Sequence, residues 1–132
     1  MSYPVEYIPD EDSVYLRIHK NNIDNSIENP NEKILIGAFN IKGDDGLSVN
    51  WSKYSNPFQT NKNPQMNGVV SINVKNIRSV SLDAKHDPIL TEEIDNRAHS
   101  LIIGIPPKNP SKLATRIMLR DMCNWEIEIQ QA

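Results

Sequence analysis

Apolar and polar residues along the chain recur mostly with a period of two, the spacing of strands. Val14-Tyr15-Leu16-Arg17-Ile18-His19 puts Val14, Leu16 and Ile18 on one face and Tyr15, Arg17 and His19 on the other, which predicts a half-buried strand. Gly68 to Val74 alternates similarly, with Val70, Ile72 and Val74 on one side, and predicts a central strand. Leu47 to Trp51 and Val80 to Lys85 read as further strands, the second ending at His86-Asp87-Pro88. The continuous apolar runs Ile34 to Phe39 and Leu101 to Ile105 have strand length and predict buried strands, the latter stopped by Pro106 and Pro107. Trp125 to Ile129 alternates strictly, with Glu126 and Glu128 on the wetter face of a final strand.

Helical spacing is clearest near the end of the chain. Asn109 suits an N-cap and Pro110 a first helical position, and Leu113, Ala114, Ile117, Met118 and Met122 then repeat every three or four residues towards an end near Cys123 or Asn124. Shorter helical turns are predicted just after Ser55, with Pro57 in the first turn, over Val74 to Arg78, and behind Thr91, where Glu92 and Glu93 follow a capping hydroxyl. Lys20 to Glu32 and most of Ser52 to Asn67 are Asn- and Pro-bearing loops, and Lys42 to Gly46 is a turn. Together these elements predict an α+β fold: one domain over residues 1–132, with a mostly antiparallel sheet of about six strands backed by one C-terminal helix.

Composition adds limits. With 132 residues the chain can bury roughly two-thirds of its unfolded surface and needs no covalent staple. The 17 Ile and 16 Asn against 8 Leu and 5 Ala fit a strand-rich chain with Asn turns, and also an AT-rich prokaryotic genome. One cysteine, Cys123, rules out an intrachain disulfide and a CxxC zinc site, and reads as a small buried residue. No apolar run approaches the roughly 20 residues of a membrane span, and the start MSYPVEYIPDED is acidic, so neither anchoring nor secretion is expected and a cytoplasmic location is. A net charge of -3 argues against general nucleic-acid binding.

Three groups of residues carry candidate chemistry. The histidines stand beside cations at predicted strand edges, and Arg17, His19, His86, Arg97 and His99 would suit acid–base catalysis next to an anion if those edges converge; separate boundary histidines are the alternative. Ser48, Asn50, Trp51, Lys53 and Tyr54 concentrate hydroxyl, amide, amine and aromatic groups suited to ligand contact, although Trp51 and Tyr54 equally suit a plug at the end of the core. Lys112, Arg116 and Arg120 form a cationic stripe on the last helix, read as a solvated face or as a surface for a phosphate or acidic partner. No HxH or HxxxH pair occurs, and no phosphate-loop, nucleophile-elbow or zincin motif, so no metal or cofactor is expected.

The segments VYLRIH, GDDGLSVNWSKYSNP, GVVSINVKNIR, and KHDP with NRAHSLIIG, in that order between Val14 and Gly104, resemble a set of small prokaryotic proteins without an established activity. That resemblance implies one intact domain and supplies no catalytic residue. Arg17, Ser48 and Glu126-Ile127-Glu128, in that order, also resemble the Arg, Ser and Glu-x-Glu pattern of ADP-ribosyltransferases, with Leu-Ser-Val where that family has Ser-Thr-Ser. The expected function is a small non-enzymatic interaction module whose partner is another protein. The alternative is an enzyme acting on a phosphate-bearing or nucleotide substrate, ribonuclease-like or ADP-ribosyltransferase-like, and convergence of Arg17, Ser48, His86 and His99 in one pocket would favour it.

Overall fold

A computed structural model of the chain describes residues 2–41 and 45–129. Its strands and helices are β1 (Ser13–His19), β2 (Leu47–Trp51), α1 (Pro57–Asn61), β3 (Asn67–Asn73), α2 (Val74–Ser79), β4 (Asp83–His86), β5 (Ile89–Leu90), β6 (Asp95–Asn96), β7 (His99–Ile103), α3 (Ser111–Asp121) and β8 (Asn124–Ile127). Six strands form one sheet in the order β4-β7-β2-β1-β3-β8, every neighbouring pair antiparallel, and β5 pairs with β6 in a separate hairpin. The α+β reading, a six-stranded antiparallel sheet with a C-terminal helix, is what the chain adopts. Among the described residues no helix is long and apolar enough to cross a membrane.

The alternation in the sequence sorts the two faces of the sheet. Val14, Leu16 and Ile18 of β1, Leu47, Val49 and Trp51 of β2, Val70 and Ile72 of β3 and Ile102 of β7 are all buried in one core, with Phe39, Val74, Ile77, Leu119 and Cys123 packed in from outside the sheet. The opposite face carries Tyr15, Arg17, Ser48, Asn50, His99 and Leu101, which are exposed or half-buried, and Val69 and Ser71 of β3, which are buried, so that face is covered at β3 and open at β2 and β7. The predicted strand at Leu101 to Ile105 starts two residues earlier and stops where Gly104 takes a φ of 98°, ahead of the prolines.

Four local expectations are corrected. Ile34 to Phe39 is not a strand: Ile34 makes a single bridge to Ile23, and Ile36 to Phe39 form a 3-10 turn. Ile34 and Phe39 still reach the core while Leu35 is exposed, so this run packs onto the core without joining the sheet. Thr91 accepts from the N–H groups of Glu93 and Ile94 at 3.2 and 2.9 Å, but the turn closes the β5–β6 hairpin, because no apolar stripe follows that a helix could bury. Val80 to Leu82 are not strand; α2 runs to Ser79 and Ser81 turns the chain at φ 65° before β4 begins.

The fourth correction is the face of α3. Its buried residues are Thr115 and Leu119, in line with Cys123 beyond its end, whereas Leu113 and Met118 are 44% and 39% exposed. The helix packs on the 3-10 turn and seals the core with its C-terminal half, so its first turns lie beside a cleft instead of on the core. Asn109 keeps a capping role one position out of place, its Oδ1 accepting from the Leu113 N–H at 3.1 Å. Of the turn expected at Lys42 to Gly46, residues 42–44 lie outside the described residues.

Candidate functional site

The residues expected to carry chemistry fall into three separate places. The first lies under the segment that precedes β1. Glu6 on that segment pairs with Lys53 Nζ at 2.6 Å, accepts from the Tyr54 hydroxyl, and stands 3.8 Å from the Arg97 guanidinium. Those hydrogen bonds from Lys53 and Tyr54 hold the Glu6 carboxyl below its ordinary range. Arg97 stacks 4.3 Å above the Tyr54 ring and Lys53 lies 5.4 Å over Trp51. Beneath them His86 is buried, its Nδ1 accepting from the Glu6 N–H at 3.0 Å. The Nε2 therefore carries the proton and donates to the Arg97 carbonyl at 2.6 Å. Both ring nitrogens are committed to backbone groups, which makes His86 a strut between the N-terminal segment and the strand edge.

Trp51 is 1% exposed, makes edge contacts with Tyr54 and His86, and donates its Nε1–H to Asp12 at 2.8 Å. It is a core residue whose polar end is satisfied. His19 caps the 3-10 turn that follows β1, its Nδ1 accepting from the Asn21 N–H at 3.0 Å. Cys123 is buried as expected, and the burial of its thiol, with Asp121 nearby, pushes the pKa up to about 12.

The second place is the open face of the sheet. His99 on β7 holds Asp87 on one side and Ser48 on the other. Its Nδ1 is 2.8 Å from the Asp87 carbonyl oxygen and 3.1 Å from Asp87 Oδ2, and its Nε2 is 3.3 Å from Ser48 Oγ on β2. Arg17 of β1 is exposed on the same face. Asn50 is tied into the fold, accepting from Asn96 at 2.9 Å and donating to Thr60 at 3.2 Å. Glu126 lies on β8, accepting from Ser71 at 3.3 Å, with β1 and β3 between its strand and that of Ser48.

The third place is a cleft of about 770 Å³ at the end of the sheet, lined by Gly46, Ile103, Gly104, Ile105, Lys112 and Arg116 among others. Arg116 Nε is buried there without a hydrogen-bond partner among the described residues. Arg120 turns elsewhere and pairs with Asp121 at 3.2 Å, so the cationic stripe divides, with Lys112 and Arg116 at the cleft.

Arg17, Ser48 and His99 thus share a face, while His86 lies against the core and His19 caps a turn. Sequence reasoning missed Glu6 and Asp87. Asp87 had a faint signal in its place between a histidine and a proline at a strand end; Glu6 had none, since a segment without periodicity says nothing about what it crosses. Among the described residues no group of three His, Cys, Asp or Glu side chains gathers as a metal site would. Comparison with protein-family models, with curated proteins and with solved structures found no match to this chain.

Proposed function

We propose that the protein is a small recognition module that binds an anionic group of a partner protein, a phosphate or carboxylate, in the cleft beside α3. The observation that carries this reading is the placement of Arg116 and Lys112 on the wall of a concave site, with the Arg116 Nε–H buried and without an acceptor among the described residues. A buried donor without a partner costs about 1–3 kcal/mol, and the positive charge of the guanidinium that carries it favours an anion in the cleft. Lys112 one turn earlier adds a second positive charge, and Ile103, Ile105, Pro106 and Pro107 supply the apolar wall that a binding cleft of this size usually has. Gly104, at φ 98°, turns the chain sharply at the cleft edge, a conformation that strains any residue with a Cβ.

Titration with inorganic phosphate, followed by backbone amide NMR, tests the reading. Shifts should concentrate at Gly104, Ile105, Lys112 and Arg116, weaken with added salt, and disappear in a Lys112→Gln/Arg116→Gln double variant. Shifts scattered over the surface, or unchanged in the double variant, would refute it.

A further inference from the structure

The Ser48, His99 and Asp87 side chains stand on the face of the sheet away from the core, so what they do is independent of the cleft. We propose that Ser48 is a nucleophile activated by His99, able to take an acyl group from a carboxylic ester. The argument starts from the proton on His99. Its Nδ1 faces two oxygens, the Asp87 carbonyl at 2.8 Å and the Asp87 carboxylate at 3.1 Å, and an oxygen acceptor on that side requires Nδ1 to carry the hydrogen. The Nε2 is then a lone pair, and the group it meets is the Ser48 hydroxyl at 3.3 Å. A serine hydrogen-bonded to an imidazole base, with a carboxylate orienting that base from its far side, is the arrangement that converts a weak hydroxyl nucleophile into a reactive one.

Backbone register shows why the three meet and why the hydroxyl is accessible. Asn50 pairs with His99 and Ser48 with Leu101, so Ser48 and His99 are diagonal neighbours on one face of adjacent strands. Asp87 follows β4 directly, and its N–H bonds the His99 carbonyl, which holds the carboxylate beside the ring. Ser48 is exposed, unlike the half-buried Asn50 two residues on. On its other side the β1–β2 ladder consists of Val14–Trp51 and Tyr15–Asn50, and stops before Arg17 and Ser48, while β1 continues to His19 against β3. The two strands part at this level. The Arg17 N–H, which the alternation of the ladder aims at β2, does not close on Ser48, and the Arg17 side chain belongs to the same open face. None of the ion pairs among the described residues includes Arg17. A backbone donor at that opening, and a guanidinium on the same face, are suited to the negative charge that develops on an attacked carbonyl oxygen.

In the acyl-transfer step Ser48 Oγ forms a bond to the ester carbonyl carbon as its proton passes to His99 Nε2. The carbon–oxygen bond to the alcohol then breaks, the alcohol oxygen leaves with that electron pair, and it takes the proton back from His99. Water, deprotonated by His99, cleaves the Ser48 ester by the same path and releases the carboxylic acid. Asp87 is a positioning residue that fixes the tautomer and orientation of the ring.

A fluorophosphonate probe tests this, because attack by Ser48 forms an Oγ–phosphorus bond, expels fluoride and leaves an adduct visible by intact mass. The wild-type protein should take up one adduct, mapped to Ser48, and Ser48→Ala should take up none. His99→Asn, with its fold verified by melting temperature, should label about 100-fold more slowly, the lower end of what a general base contributes. Should His99→Asn unfold, Ser48→Cys gives a second reading: the introduced thiol should react with iodoacetamide faster at pH 7 than a free cysteine, while the buried Cys123 stays silent. An adduct on another residue, equal labelling of Ser48→Ala, or an introduced thiol no faster than free cysteine would overturn the proposal.

Discussion

Trp51 shows how one side chain can have its function read two ways and its burial settle the matter. It follows an alternating strand and precedes a polar loop, and both a ligand platform and a core plug suit that position; the ring is in fact enclosed by Tyr54, His86 and Asp12. Trp51→Ala should therefore cost about 3–5 kcal/mol, measured by urea unfolding, and a variant as stable as wild type would remove Trp51 from the core. Cys123 gives a second prediction at this scale. Burial raises its thiol from 9.0 to about 12, so the folded protein holds the neutral form well above the pH at which the unfolded chain ionises. Its contribution to stability is complete below pH 9, declines above it as the unfolded thiol ionises, and is gone once the folded thiol ionises near pH 12. In practice Ellman's reagent at pH 8 should react with Cys123 after denaturation and scarcely before it.

At the scale of single elements, what surrounds a segment decides as much as its own pattern. The β3–β8 pairing shifts register between Val69 and Val70, and Gly68 lies against that irregularity. A Cβ there would meet the Ile127 carbonyl oxygen at 2.7 Å and the Trp125 ring at 2.7 Å. Gly68→Ala should destabilise the protein by about 1–3 kcal/mol, the usual cost of overpacking, with the loss of amide protection concentrated in β8 on hydrogen exchange. In α3 the expected apolar face and the buried face differ, because the helix is held at its C-terminal end by Leu119, Met122 and Cys123. Arg116→Met removes a buried donor that has no acceptor among the described residues, so its melting temperature in phosphate-free buffer should equal or exceed that of wild type even as phosphate binding is lost. A clear drop in melting temperature would mean that Arg116 is held by the fold itself.

Across the whole molecule, the segment before β1 ties distant parts together. Ile8 is 1% exposed in the core, Asp10 pairs with Arg78 at 2.5 Å, Asp12 accepts from Trp51, and Glu6 reaches Lys53, Tyr54 and Arg97. The lowered pKa of Glu6 has a definite sign. A carboxyl that ionises more easily in the folded chain than in the unfolded one contributes stability above its ordinary value of 4.5 and loses it as the pH falls through the lowered one. Melting temperature should therefore fall more steeply below pH 4.5 in the wild-type protein than in Glu6→Gln, and parallel curves would show that Glu6 adds nothing to stability.

Periodicity by itself determined the α+β class, the strands β1, β2 and β3, the start of α1 at Pro57 and the identity of most core positions, because side chains two apart share a face of a strand whatever lies across from them. It also placed Arg17 on the polar side of its strand, Ser48 within a strand and His99 just ahead of one. Only the tertiary structure decided which polar sides adjoin, since register and strand order are long-range facts: β7 lies beside β2 in the sheet although almost 50 residues separate Asn50 from His99, which it pairs. The same holds for Ile34 to Phe39, where a continuous apolar run fits a strand or a turn across the core and the packing of Ile34 and Phe39 into that core chooses. Glu6 was illegible for a related reason. Its partners lie about 45 to 90 residues away, and ion pairing over such separations leaves no periodic trace in a sequence, because nothing in the local backbone depends on it.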